Sequence, residues 1–167
     1  MVTRTDLLPH EEYLKSLPRK RSAVGAVILH DGKLLVVKPN YKDCWLLPGG
    51  TIDEMEAPYA AMQRELQEEL SITPPIGRLL VVDYRQEENV QSSAAEVLHF
   101  LFAVTLDAPM FAAIKLQAEE LDELRLIEPT QADQFLSPHG ARRVQLALAA
   151  LHNQTHTVYA ENGKLIV

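Results

Sequence analysis

The sequence predicts an α/β (α+β) domain in which a mixed β-sheet is flanked by helices. Three observations predict it. Strand-like runs fall before, between and after two helix-like segments, without the regular alternation of a doubly wound fold. The length of 167 residues fits one domain, since chains need not split below about 250 residues. Hydrophobic residues at 47% and charged residues at 23% suit a packed core and argue against disorder, collagen-like repeats or coiled coil.

Residues 1–20 are polar, contain Pro9 and Pro18, and read as a helical or irregular arm. Ordered structure is expected from Arg21. Residues 23–29 and 34–37 are apolar, β-branched runs on either side of Asp31-Gly32, a pair that tolerates positive φ, and they predict a tight hairpin. Residues 39–43 read as a loop, followed by a short strand at 45–47 that Pro48-Gly49-Gly50 stops. The segment Pro58–Leu70 lacks Gly and Val and opens on proline, which predicts a helix with Tyr59, Met62, Leu66 and Leu70 as its buried stripe. Thr73-Pro74-Pro75 closes it.

Further strands are expected at 78–85, 96–105 and 123–127, with Leu98, Phe100, Phe102 and Val104 sharing one face. Residues 86–95 and 107–122 read as loops. Ser137 is placed to cap a second helix, Pro138 to about His152, with Val144, Leu148 and Leu151 facing inward. Asn162-Gly163 marks a terminal hairpin within 157–167. The expected division is an arm at 1–20, a core at 21–136, and a helix and hairpin at 137–167 packed on the same domain.

Sixteen Lys and Arg against 23 Asp and Glu give a net charge of −7, which excludes coating a bulk nucleic-acid backbone. A small phosphorylated ligand stays compatible, because a bound metal reverses the local sign of the field. The single cysteine, Cys44, forms neither an internal disulfide nor a zinc cluster, so a cytoplasmic location is the default expectation. Arg4, Asp6, Glu11, Glu12 and Lys15 interrupt any signal-like apolar core, and no apolar run approaches the roughly 20 residues that span a bilayer. No membrane partner is expected, and the oligomeric state is left open, with a homodimer as one candidate.

Glu65, Glu68 and Glu69 lie within five residues and, at roughly 100° per residue, occupy one arc of the predicted helix beside its apolar stripe. Each like-charged pair at that spacing costs about 0.2–0.5 kcal/mol on an exposed helix. A divalent cation offsets this directly, and clustered hard oxygens select Mg²⁺ or Mn²⁺ over softer metals. A solvated acidic patch partly paired with Arg64 is the commoner use of such a cluster, so the surrounding frame has to decide.

Five residues separate Gly50 from Glu56, seven separate Glu56 from Arg64, and Arg64 opens the run Glu65-Leu66-Gln67-Glu68-Glu69-Leu70-Ser71-Ile72. This closely resembles the Nudix box, G-x5-E-x7-R-E-U-x-E-E-x-G-U with U aliphatic, preceded here by Trp45-Leu46-Leu47-Pro48-Gly49-Gly50 as a lead-in. The penultimate glycine of the pattern is Ser71 in this chain, and Met55 stands where many members have another glycine. A non-glycine residue at Ser71 puts the helix exit under strain but removes no ligating oxygen.

The resemblance implies a Nudix-type α/β/α sandwich and hydrolysis of a diphosphate in a nucleoside diphosphate linked to another group X. It implies that Glu65, Glu68 and Glu69, with the backbone carbonyl of Gly50, hold Mg²⁺ or Mn²⁺. It also implies that Glu56 and Arg64 fix the junction of loop and helix. The general base is left open between Glu65 or Glu68 and a loop carboxylate among Glu119, Glu120, Asp122 and Glu123. The alternative function is a nucleotide-sensing or regulatory module of the same fold without turnover. An isoprenoid diphosphate isomerase is disfavoured because no catalytic cysteine pattern surrounds Cys44.

Trp45, Tyr41 and Tyr84 are candidates for stacking on a base, with core packing the better reading of Trp45. Arg21, Lys38, Lys42 and Arg85 flank predicted strands and are candidate phosphate clamps. His99 reads as a structural histidine and Cys44 as a small buried hydrophobe. Nothing in the sequence selects the base, sugar or second group of the substrate, which is a small nucleotide or nucleotide-sugar-like diphosphate by resemblance alone.

Overall fold

The computed structural model describes residues 8–87, 95–154 and 156–167. A seven-stranded mixed sheet forms its centre, in the order β5-β2-β1-β4-β3-β6-β7. Strands β1 (Arg21–His30) and β2 (Lys33–Pro39) are joined by Asp31 and Gly32, both at positive φ (50° and 78°), as a two-residue primed turn requires. Beyond Leu29↔Leu34 and His30↔Lys33 the two strands part. The segment from Trp45 to Ile52 fills the split. Leu46 exchanges backbone hydrogen bonds with Val37, while the amides of Val24 and Ala26 donate to the carbonyls of Gly50 and Pro48.

Strand β3 (Ile76–Gln86) pairs antiparallel with β4 (Glu96–Val104), and β4 lies parallel to β1. Strand β5 (Leu121–Ile127) pairs with β2 at one edge. At the other, β6 (Val158–Glu161) runs parallel to β3 and turns through Asn162 (φ 53°) and Gly163 (φ 73°) into β7 (Lys164–Leu165).

Helix α2 (Pro58–Leu70) covers one face of the sheet, burying Met62, Leu66 and Leu70 against Val24, Ala26, Ile28, Phe102 and Val104. After the short helix α4 (Ala132–Phe135), helix α5 (Pro138–His152) covers the other, over Val27, Leu80, Val81 and Leu101. Between them lie two apolar layers, the expected sandwich. Ser137 caps α5 by accepting from the Gly140 amide at 3.2 Å.

The arm takes the helical one of its two expected forms, as α1 (His10–Ser16), and that helix buries nothing. Several other expectations need correction. Tyr59 is 49% exposed, and Ala61 takes the inward position with Met62. Tyr59 meets Phe102 in a T-shaped contact, with ring centroids 6.4 Å apart. Residues 45–47 make single bridges to Val37 and Leu136 rather than a strand, because the chain there crosses from β2 to β1. Residues 107–122 contain the short helix α3 (Ala108–Ala112), capped by Asp107, whose carboxylate accepts from the Met110 amide at 2.7 Å. In α5 the innermost residues are Ala141, Val144, Ala147 and Ala150, small enough to seat the helix close to the sheet. Leu148 and Leu151 pack at its flanks. Of the loop expected at 86–95, residues 88–94 lie outside the described residues.

The helix exit keeps the backbone that the missing glycine would favour. Ser71 sits at φ 58°, ψ 31°, its amide donates to the Gln67 carbonyl, and its hydroxyl donates to the Lys115 carbonyl at 3.1 Å. An L-residue in the left-handed region costs about 1 kcal/mol, of which that exposed hydrogen bond recovers part. Ser71→Gly is therefore expected to stabilise the protein by about 0.5–1 kcal/mol, read as a higher urea midpoint at unchanged slope. A lower midpoint would show that the hydroxyl contact outweighs the strain.

Candidate active site

The turn before α2 and the middle of α2 are tied together through Arg64. Its Nε and Nη2 donate to the two oxygens of Glu56 at 2.9 Å each, and Nη2 also reaches the Thr51 carbonyl at 3.0 Å. Glu56 in turn accepts from the Asp53 amide at 3.0 Å. The Arg64 guanidinium, with that amide, holds the Glu56 carboxyl down at about 2, and the same contacts raise the basicity of Arg64.

Arg64 Nη1 faces the acidic arc, donating to Glu65 Oε1 at 2.9 Å and Glu68 Oε2 at 3.0 Å. Glu65 and Glu69 are buried, at 9% and 7% exposure, whereas Glu68 leans outward onto Arg64 with its side chain half exposed. Glu69 Oε2 accepts from the Gly49 amide at 2.7 Å. The Glu65 carboxylate lies so close to Gly50 that a Cβ there would be 2.5 Å from Oε1. Gly49 is itself at φ 134°, and a Cβ on it would fall 2.3 Å from the Val24 carbonyl oxygen. The two glycines let the crossing segment pass between β1 and the carboxylates.

Burial pushes the Glu69 carboxyl up to about 8, against the pull of the Gly49 amide and with added repulsion from Glu65, Glu120 and Glu68. Glu65 is raised too, mainly by burial, with Arg64 opposing. Between the ordinary 4.5 and about 8, the unfolded chain has Glu69 ionised while the folded protein keeps it protonated. The stabilisation is complete below 4.5 and is lost as pH rises through about 8. Metal-free protein is thus expected to be less stable at pH 8 than at pH 6 in urea titrations, and Glu69→Gln to remove most of that slope. An equal slope in the variant would overturn the assignment.

Among the described residues no three His, Cys, Asp or Glu side chains lie close enough together to hold one ion, because Arg64 draws Glu68 aside. The donor set nonetheless fits a hard divalent cation. Two buried carboxylates repel each other beside a peptide segment whose Gly50 carbonyl accepts one backbone hydrogen bond, from Val24, and keeps a second lone pair.

Of the four loop carboxylates, Glu120 is the one whose charge is felt at Glu65, Glu69 and Tyr41. Its loop is anchored to the end of α2, where the amides of Lys115 and Gln117 donate to the carbonyls of Leu70 and Glu69. Asn40 holds it from the other side, through the carbonyls of Glu119 and Glu120. Glu123 pairs with Arg125, and Glu119 and Asp122 are exposed, as Glu120 itself is.

A cavity of about 320 Å³ opens on the other side of Gly49-Gly50, between the sheet and the start of α5. Arg21, Arg85, Lys42, His99 and Arg143 line it. Lys38 does not, and donates instead to the Lys42 carbonyl. Trp45 reaches the wall, but its ring is covered by Arg125, 4.7 Å from its centroid, and edged by Phe135. Tyr84 donates to Glu96 and Tyr41 is 64% exposed. Cys44 is a half-buried free thiol. Sequence reasoning passed over Arg143 altogether. The available signal was a charged residue directly preceding the inward Val144 of a predicted helix.

A family model described as the NUDIX domain matches residues 19–147. The chain is 41% identical over 61 residues to an RNA pyrophosphohydrolase of Hydrogenovibrio crunogenus, a match covering 36% of this chain and 37% of that one. It is 39% identical over 57 residues to diphosphoinositol polyphosphate phosphohydrolase 2 of Rattus norvegicus, covering 34% and 32%. The matched stretches thus span about a third of the length of these curated relatives. The fold resembles the crystal structure of a UDP-X diphosphatase at a TM-score of 0.68 and 22% identity, over 92% of this chain and 75% of that one. With the family model extending over most of its length and the box residues gathered around one helix, the chain belongs to the NUDIX family.

Proposed function

We propose that this protein is a metal-dependent diphosphohydrolase that cleaves the P–O–P linkage of a nucleoside diphosphate joined to another group X. The observation that carries the reading is the burial of Glu65 and Glu69 against Gly49-Gly50 at the edge of the cavity. Two carboxyls kept out of water stay ionised only with a positive partner beyond the one guanidinium, which Asp53, Glu56, Glu65 and Glu68 already share. Glu65, Glu69 and the Gly50 carbonyl would hold Mg²⁺, or Mn²⁺ in its place, and Glu68 would join them on turning from Arg64. When bound, such an ion polarises the phosphoryl oxygens and lowers the pKa of the attacking water.

The protein's own groups do the rest. Arg64 and Glu56 hold α2 against the turn, so the carboxylates keep their aim while substrate enters. The Gly49 amide fixes one oxygen of Glu69 and leaves the other for the ion. Glu120 is the loop carboxylate best placed to take a proton from water, beside box residues Glu65 and Glu68. The lone half-buried thiol suits a reducing cytoplasm, and no helix among the described residues is long and apolar enough to cross a membrane.

The test is incubation with a panel of nucleoside diphosphate derivatives, with Mg²⁺, with Mn²⁺, and after chelation, reading phosphate, pyrophosphate and nucleoside monophosphate. Product is expected only with metal. Ligands that raise the melting temperature without any cleavage would instead favour a sensing module.

A further inference from the structure

The basic lining of the cavity follows from sheet register. Arg21, Val97 and Arg85 stand side by side across β1, β4 and β3, and Ala23, His99 and Asp83 form the next same-face row. Arg143 enters from α5, its Nε 2.9 Å from Asp83 Oδ2 but not aligned as a hydrogen bond. Asp83 is fully buried and spends its other oxygen on the Gly163 amide, at 2.9 Å. Three guanidiniums and the Lys42 ammonium thus meet two carboxylates, Asp83 and Glu87, the latter a loose 3.7 Å from Arg21.

Two nitrogens of this lining, Arg85 Nε and His99 Nε2, are buried without a hydrogen-bond partner, while Arg143 Nε meets Asp83 Oδ2 as an unaligned ion pair. Buried polar atoms are nearly always paired, so two such nitrogens in one wall, beside a third cation, call for a ligand with several acceptor oxygens. Burial, with Arg143, Arg85 and Arg21 nearby, holds His99 down at about 3, so its imidazole is neutral, and its Nε2–H tautomer is the one that would donate to an anion here. The excess of cations over carboxylates argues against a neutral sugar as the natural occupant, and Arg125 already stacks on the Trp45 ring.

We propose that this cavity is a subsite for a phosphate-class anion carried on X, held by Arg21, Arg85, His99 and Arg143. The inference rests on the hydrolase reading for the placement of X, since the cavity lies across Gly49-Gly50 from Glu65 and Glu69. Guanidinium forks match phosphate oxygens two at a time, and a pair of negative charges relieves the repulsion among three arginines. Substrates whose second group bears its own phosphate would therefore be selected over those with an uncharged X.

The test has two arms. In the first, inorganic phosphate and tripolyphosphate are titrated by calorimetry into full-length protein in divalent-free buffer, with His99 ring resonances followed by NMR. Binding with a shift at His99 is expected, weakened at least tenfold in Arg85→Gln and again in Arg21→Gln, whose side chain is half exposed and so spares the fold. In the second, kcat/KM with Mg²⁺ is compared for nucleoside diphosphate esters of a plain and a phosphorylated sugar. The phosphorylated ester is expected to be preferred at least tenfold, and the preference to shrink toward unity in both variants. Absent binding, or equal affinity in wild type and both variants, overturns the subsite. Metal-free phosphate binding that persists without turnover of any ester would leave the subsite standing and remove the hydrolase reading. Turnover of both esters at similar kcat/KM, with no phosphate binding, would do the reverse.

Discussion

Glu68→Gln is expected to lower kcat by about 10²–10³-fold while leaving the fold intact. The amide has the carboxylate's shape, and Glu68 is half exposed, accepting a 3.0 Å hydrogen bond from Arg64. Little stability hangs on that bond, since an exposed i,i+4 pair contributes about 0.3–0.5 kcal/mol. If Glu68 joins the proposed metal site, its charge acts in the transition state, where an anionic ligand to a hard cation is worth several kcal/mol, and each 1.36 kcal/mol is tenfold in rate. Phosphate release under saturating substrate and Mg²⁺ measures the loss, and a melting curve verifies the fold. Near-normal turnover would remove Glu68 from the site.

Gly49→Ala is expected to be the most destabilising single methyl that can be added near the site. The new carbon would sit 2.3 Å from the Val24 carbonyl oxygen and 3.0 Å from Gly25 Cα, both backbone atoms of β1 that cannot swing aside. At φ 134° the substitution is strained even without the clash. Overpacking and strain together cost about 3 kcal/mol or more, and any relief by displacement of the segment would break the bond from the Gly49 amide to Glu69. Urea unfolding should show the lower midpoint, with activity lost in the fraction still folded. A midpoint within about 0.5 kcal/mol of wild type would mean that the crossing segment is looser than its hydrogen bonds indicate.

Local signals in the chain were sufficient for much of this architecture. Pro58 and Ser137-Pro138 mark the starts of the two long helices, and Asp31-Gly32 and Asn162-Gly163 the two primed turns, because capping and positive φ are short-range demands. The spacing from Gly50 to Ile72 likewise announces which side chains gather, since helical periodicity and one loop connect them. What could not be read was anything that depends on strand order. Arg21 and Arg85 are 64 positions apart and become neighbours only because β4 inserts between β1 and β3. His99 looked structural in isolation. Its meaning changed once Arg143 arrived from a helix that sequence patterning had judged by its apolar side. Tyr59 failed differently, since a periodic stripe gives the direction of the core but not where the sheet beneath the helix ends.

Asp83 links places that are remote along the chain. Its carboxylate meets Arg143 in the cavity wall and, through its other oxygen, the turn residue Gly163, whose β6 also pairs with β3. One buried carboxylate thus ties the final hairpin to the wall of the basic cavity, whereas α1 buries no residue. Surface immobilisation or fusion partners are therefore better attached on the side of α1 than beyond β7.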